Sequence, residues 1–126
     1  MIRLKSLIVE QSTPYVKNID RDTIDNNDYR RVVFTGDKLQ LVLMNIPVGE
    51  EIGEEVHEDG DQFLRIESGV GNLIIDDKEF EVSADFGITI PAGAKHNLIN
   101  TGNDFLKLYS VYSPPEHPSG LIRKTK

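Results

Sequence analysis

No segment of this chain shows the sustained 3.6-residue apolar period of a buried helix, and this restricts its fold more than any other feature. From residue 31 onward the pattern is strand, turn, strand. RVVFT (31–35) is β-branched and aromatic, GDK follows with turn residues, and LQLVLMNI (39–46) resumes an extended run. GNLIID, DK and EFEV (71–82) read as a tight hairpin with Asp77 and Lys78 at its tip. GITI (87–90) is stopped by Pro91, HNLIN (96–100) leads into the turn TGND, and FLKLYSVY (105–112) alternates in character. The proline-rich SPPEHP (113–118) cannot continue a ladder, because proline lacks the backbone donor. Short strands separated by turns at this spacing predict an all-β antiparallel sandwich or barrel.

The chain has 126 residues, the size of one domain with one core. It divides into an N-terminal arm (1–30), a barrel (31–112) and a C-terminal tail (113–126). Within the arm, DRDTIDNNDYR (20–30) is polar and turn-rich and reads as a surface connection. The basic tail end, IRKTK (122–126), is expected to be frayed. With no cysteine, disulfides and thiolate chemistry are excluded. The net charge of -7 argues against nucleic acid and anionic membrane surfaces as partners. The opening MIRLKSLIVE has too short an apolar run for a signal core, and no stretch approaches the ~18 apolar residues of a membrane span. A cytoplasmic location is the expectation.

The chemistry is concentrated in two separated stretches. In PVGEEIGEEVHEDGDQFLRIESG (47–69), Glu55 and His57 lie two apart, so in extended backbone both share a face while Glu54 and Val56 point the other way. After the turn EDGD, an inward Gln62 brings Leu64 and Ile66 inward as an apolar wall and turns Arg65 outward. His96 opens its own strand after PAGAK. No G-x-S-x-G nucleophile elbow and no phosphate-cradling G-x-x-x-x-G-K-[ST] is present, so neither of those chemistries is legible.

These stretches resemble the two motifs of the cupins. Gly49, Glu55, His57, Gln62 and Gly69 fall on G-x5-H-x-H-x4-E-x6-G, and Pro91, Gly93, His96 and Asn100 fall on G-x5-P-x-G-x2-H-x3-N. The resemblance covers roughly residues 31 to 112. It departs at three places: Glu55 stands for the first histidine, Gln62 for the glutamate, and Asp85 for the opening glycine of the second motif. The resemblance implies a cupin jelly-roll barrel with a divalent metal ion inside its mouth, held by Glu55, His57, Gln62 and His96. The carboxylate has moved from one motif position to another, so the ligand charge is kept. Mixed nitrogen and oxygen donors suit iron, manganese, nickel or zinc, and two histidines with one carboxylate are also the donors of non-haem iron(II) sites.

Small cupins of this type are similar to proteins described as mannose-6-phosphate isomerase-like, which implies a metal-dependent isomerase acting on a small polar ligand. An iron-dependent dioxygenase-type cupin and a non-enzymatic sugar or small-ligand binding module are the alternatives. Glu54 or Glu58 could serve as base, and nothing selects between them. Lys95 is the only evident phosphate contact, and His117 is a candidate lid residue. Asn100 reads as a backbone-bonding residue, and Tyr109 and Tyr112 as packing residues. Cupins commonly pair, and the strand-like pieces LKSLIVE and PYVKNI could cross to a second copy, so a homodimer is expected.

Overall fold

The computed structural model describes residues 13–126. Among them one short helix precedes nine strands. Helix α1 is Ile19–Asp25, and the strands are β1 (Arg30–Thr35), β2 (Gln40–Ile46), β3 (Asp61–Ser68), β4 (Val70–Ile75), β5 (Lys78–Ser83), β6 (Gly87–Ile90), β7 (His96–Asn100), β8 (Leu106–Ser113) and β9 (Ile122–Arg123). The strands form two antiparallel sheets. The larger has the order β6-β3-β8-β2-β1-β9 and the smaller β5-β4-β7. The expected all-β jelly-roll sandwich is the observed fold. No helix among the described residues is long and apolar enough to cross a membrane.

Period-two alternation decides what enters the space between the sheets. In β3, Gln62, Leu64 and Ile66 are buried, and in β8 so are Leu106, Leu108, Ser110 and Tyr112. The two strands are in register, with Gln62 opposite Tyr112 and Ile66 opposite Leu108. Val42, Met44 and Ile46 of β2 complete the apolar wall, and Leu73, Val82 and Leu98 face it from the smaller sheet. Strand β2 is buried on both faces, which explains its continuous apolar run. The inner face is thus apolar at one end and polar at the other, where Gln40, Tyr112 and Gln62 lie side by side.

Three expectations are corrected. Residues 20–30 are not merely a surface connection: Asn18 caps a helix by accepting a hydrogen bond from the Arg21 backbone at 3.0 Å. The helix is too short to show a period. PYVKNI forms no strand within the single chain, its Ile19 opening the helix, and LKSLIVE lies outside the described residues. The hairpin tip is Asp76–Asp77 rather than Asp77–Lys78. Both aspartates adopt positive φ (46° and 70°), the backbone of the tight turn whose twist matches its strands. The tail end is not frayed. Ile122 and Arg123 pair with Arg31 and Arg30, and Lys124 Nζ lies 2.9 Å from the buried Asp28 carboxylate.

Gly69 shows why the end of the first motif needs glycine. Its φ is +100°, and a Cβ there would lie 2.6 Å from the Phe105 carbonyl oxygen. Asp85, which replaces the glycine that opens the second motif, also has positive φ (74°), and its carboxylate is held by Arg65 Nη2 at 3.0 Å. Aspartate tolerates the left-handed region better than most residues, so this position keeps its turn without glycine. Gly69→Ala combines a strained φ with a backbone clash and should cost about 2 kcal/mol or more in urea unfolding. A loss below about 0.5 kcal/mol would contradict the assigned backbone.

Candidate metal centre

Glu55 and His57 sit on the connection between β2 and β3, outside regular strand. What holds that connection is a two-way backbone bridge to β7. The Glu55 N–H donates to the His96 carbonyl at 2.9 Å, and the His96 N–H donates to the Glu55 carbonyl at 2.9 Å. Farther on, the Gly93 N–H donates to the His57 carbonyl at 2.9 Å. Gly93 carries the positive φ (86°) of the turn that introduces His96. The extended backbone across Glu55–His57 sends both side chains inward, while Val56 is largely exposed.

The structure brings Glu55, His57 and His96 together. One donor atom from each lies within 4.8 Å of the others. Glu55 Oε1 is 3.7 Å from His57 Nε2 and 4.0 Å from His96 Nε2, and the two imidazole centroids are 5.2 Å apart. A triangle of these sides has a common centre no more than about 2.5 Å from each vertex, against ~2.0–2.2 Å for first-row metal–nitrogen and metal–oxygen bonds. Small side-chain rotations close that difference.

Each ring has its other nitrogen engaged. His96 Nδ1 is 3.0 Å from the Ala94 carbonyl, which can only accept, so Nδ1 carries the proton and Nε2 is left with its lone pair. His57 Nδ1 faces Glu116 Oε1 at 3.1 Å, with the same consequence. Both Nε2 atoms are buried and have no hydrogen-bond partner among the described residues. A buried polar atom without a partner is costly, and two imidazole lone pairs beside one carboxylate form a donor set that fits a divalent cation.

Gln62 lies nearby on β3, opposite Tyr112. Its Nε2 donates to Ser110 Oγ at 2.9 Å, and its Oε1 is buried without a partner. Tyr112 packs its ring edge against His57 (centroids 5.6 Å, interplanar 89°) and against His117 (5.1 Å, 83°). Burial pushes the Tyr112 hydroxyl up to about 12, so it stays protonated at neutral pH. Asn100 is fully engaged with backbone: its Nδ2 donates to the Ile46 and Asp104 carbonyls, and its Oδ1 accepts from the Gly102 N–H.

Sequence reasoning offered His117 as a lid residue but missed Glu116 and the side chain that holds both. The wholly buried Gln40 donates to the His117 carbonyl at 2.7 Å, and its Oε1 accepts the N–H groups of Glu116 (3.0 Å) and His117 (2.9 Å). One side-chain amide thereby fixes the tail over the polar end of the inner face, setting Glu116 on His57 and His117 on Tyr112. The signal was present in part, since the prolines around His117 showed the tail leaving the sheet. No local pattern ties residue 40 to residue 117. Two other expectations weaken. Lys95 is half-exposed and lies 3.9 Å from Glu54, and Glu54 itself points to solvent. The charged outer cleft of about 360 Å³ lined by Asp22, Asp28, Arg31 and Lys124 is not part of this centre. The Asp28 carboxylate there is already satisfied, because the Lys124 and Arg31 contacts hold it below its ordinary range.

The sequence profile of the family described as "Cupin domain" matches residues 42–112. The chain is 48% identical over 119 residues to YrkC of Bacillus subtilis, described as uncharacterized, covering 90% of this chain and 64% of that one. It thus spans less than two thirds of that relative's length. L612 of Acanthamoeba polyphaga mimivirus, also described as uncharacterized, is 42% identical over 120 residues (92% of this chain, 75% of that one). Among solved structures, BH2720 from Bacillus halodurans superposes with a TM-score of 0.87 at 48% identity, covering 89% of each chain. KdgF from Halomonas sp. superposes with a TM-score of 0.65 at 18% identity, covering 69% of this chain and 78% of that one, and shares the fold.

His117 provides a test of the roof. Burial, reinforced by the charge of Arg30, lowers its pKa from 6.5 to about 4. Between those values the unfolded chain binds the proton that the folded chain refuses, so stability falls as pH drops from about 6.5 toward 4 and levels below. His117→Gln should remove that part of the decline, so that wild type loses stability relative to the variant across this window in urea titrations at stepped pH. Parallel curves would contradict the half-buried, neutral imidazole.

Proposed function

This chain belongs to the cupin family, and from that premise we propose that it is a metal-binding cupin whose ion is held by Glu55, His57 and His96, with Gln62 Oε1 as a weaker fourth donor. The observation that carries this reading is the pair of buried imidazole Nε2 atoms without partners, facing one carboxylate oxygen. Manganese, iron, nickel and zinc all suit such donors. Bound there, the ion supplies Lewis acidity toward the oxygens of a small polar substrate.

The chain's own groups define the rest of the reading. Glu116 Oε1 lies 3.1 Å from His57 Nδ1, and a carboxylate there favours the proton on Nδ1 and raises the ring's basicity as a ligand. Glu116 is also a partly exposed carboxylate beside the centre, and it is not one of the three ligand candidates. In an isomerase of the mannose-6-phosphate isomerase-like type, it is the group that would take a proton from one substrate carbon and return it to the next. Glu54 does not suit that role, because it points to solvent beside Lys95. Tyr112 and the tail cover the His57 ring and exclude water from it.

A second reading rests on the donor set itself. Two histidines and one carboxylate leave coordination positions open, as in iron(II) oxygenases. Aerobic oxygen uptake with an organic co-substrate under iron(II) loading separates this reading from isomerisation, which consumes no oxygen.

The test of the metal reading is thermal. With manganese, iron, nickel or zinc at about a hundredfold over Kd, the native state should gain about 2.7 kcal/mol, seen as a raised Tm. His96→Ala and Glu55→Gln should abolish the shift, and Gln62→Ala should reduce it. If none of the four ions raises the Tm of metal-stripped protein, the reading fails.

A further inference from the structure

Arg30 lies on the inner face of β1. It shares that face with the core residue Val32 and stands opposite the core residue Met44 in β2. Its neighbours on the inner faces of β2, β3 and β8 are uncharged: Gln40, Val42, Met44 and Ile46, then Gln62, Leu64 and Ile66, then Leu106, Leu108, Ser110 and Tyr112. The chain carries 21 acids against 14 bases, yet no carboxylate among the described residues forms an ion pair with Arg30. Its Nε is buried with no hydrogen-bond partner, and its guanidinium carbon sits 5.3 Å from the Tyr29 ring centroid. Arg30 as a whole is half-buried, but a donor removed from water normally has a partner, because desolvation without pairing is costly. A second buried nitrogen, His117 Nε2, is also unpartnered.

The Arg30 charge reaches the roof of the candidate centre. It opposes the rise in the Tyr112 pKa and adds to the fall in that of His117. The Tyr29 hydroxyl lies 3.5 Å from the Ile52 carbonyl, three residues before Glu55, so the Arg30–Tyr29 pair borders the loop that carries Glu55 and His57, and Tyr112 packs against both His57 and His117. Tyr29 stacks on the guanidinium, an arrangement that fixes the plane of its donor fork.

We propose that Arg30 anchors the carboxylate of a small 2-hydroxy or 2-oxo acid, with the His117 imidazole beside it and the ligand's neighbouring oxygen turned toward Glu55, His57 and His96. A planar guanidinium fork pairs with a carboxylate through two parallel hydrogen bonds. Charge selects a monoanion. With a divalent ion in place, the negative charges of Glu55 and Glu116 and the positive charge of Arg30 leave one net positive charge, which one carboxylate neutralises. A phosphate dianion would leave the interior negative, and no lysine or second arginine lies on these inner faces to offset it. This assignment deepens the metal reading of the preceding subsection and rests on it.

Isothermal titration calorimetry on the intact chain separates the two. Manganese is titrated first into metal-stripped wild type, Arg30→Gln and Arg30→Lys, and then lactate, lactamide and inorganic phosphate into each loaded protein. Manganese should bind all three proteins within about threefold. Lactate should bind wild type at least tenfold more tightly than Arg30→Gln, with Arg30→Lys between them, and lactamide and phosphate should bind weakly to all. Equal lactate affinity in wild type and Arg30→Gln, or phosphate preferred over lactate, would overturn the Arg30 assignment while leaving the metal site standing. No manganese binding would overturn the metal reading. The lactate comparison on metal-free protein would then decide Arg30 alone: a tenfold deficit in Arg30→Gln upholds the anchor, and equal or absent binding overturns it.

Discussion

The candidate centre depends on one reciprocal pair of backbone hydrogen bonds, between Glu55 and His96. The acidic stretch from Glu50 to Asp61 has almost no regular structure of its own, and an irregular loop rich in like charges would otherwise be solvated. The bridge fixes the φ and ψ of Glu55 against the first residue of β7. That choice of face carries Glu55 and His57 inward and leaves Val56 outside. Slipping this pairing by one residue would expose both ligand candidates and bury their neighbours, the outcome of any one-residue register error in extended chain. The bridge from Ile99 to Glu51 and the Gly93–His57 hydrogen bond hold the loop from either side.

Burial then determines what the cluster can do. His57 and His96 are removed from solvent, each with one ring nitrogen held by an oxygen acceptor. Their remaining nitrogens are defined by that arrangement. The roof comes from the other end of the chain, where Gln40 replaces a strand ladder with three side-chain hydrogen bonds to the tail. Prolines at 114, 115 and 118 cannot supply ladder donors, so a buried amide is an economical way to hold such a segment. The same tail then returns to the sheet as β9 and covers Asp28 with Lys124.

Much of this was legible in the sequence wherever period two governs. The inward Gln62, Leu64 and Ile66 and the outward Arg65 follow from alternation, and the approach of the 55–57 region to residue 96 follows from the resemblance to the cupin motifs. Other features were not legible, for identifiable reasons. Helix α1 is too short for a hydrophobic period and shows only its Asn18 cap. The hairpin tip moved one residue because aspartates at 76 and 77 adopt the left-handed backbone that glycine or asparagine usually signals. Gln40, Glu116 and His117 meet through tertiary packing across more than seventy residues of sequence. Arg30 adjoins a polar segment and reads as a surface charge; only the pairing with Met44 shows that it points inward.

A carboxylate in place of the first motif histidine and an amide in place of the motif glutamate change the donors while preserving their number and charge. The account therefore stands or falls on whether a cation occupies the point equidistant from Glu55 Oε1, His57 Nε2 and His96 Nε2. Anomalous diffraction from crystals grown with manganese tests this directly. The account predicts a single strong peak inside the sandwich, with those three atoms at roughly 2.0–2.3 Å. Peaks confined to the surface acids, with both imidazole Nε2 atoms turned to protein or water partners, would contradict it.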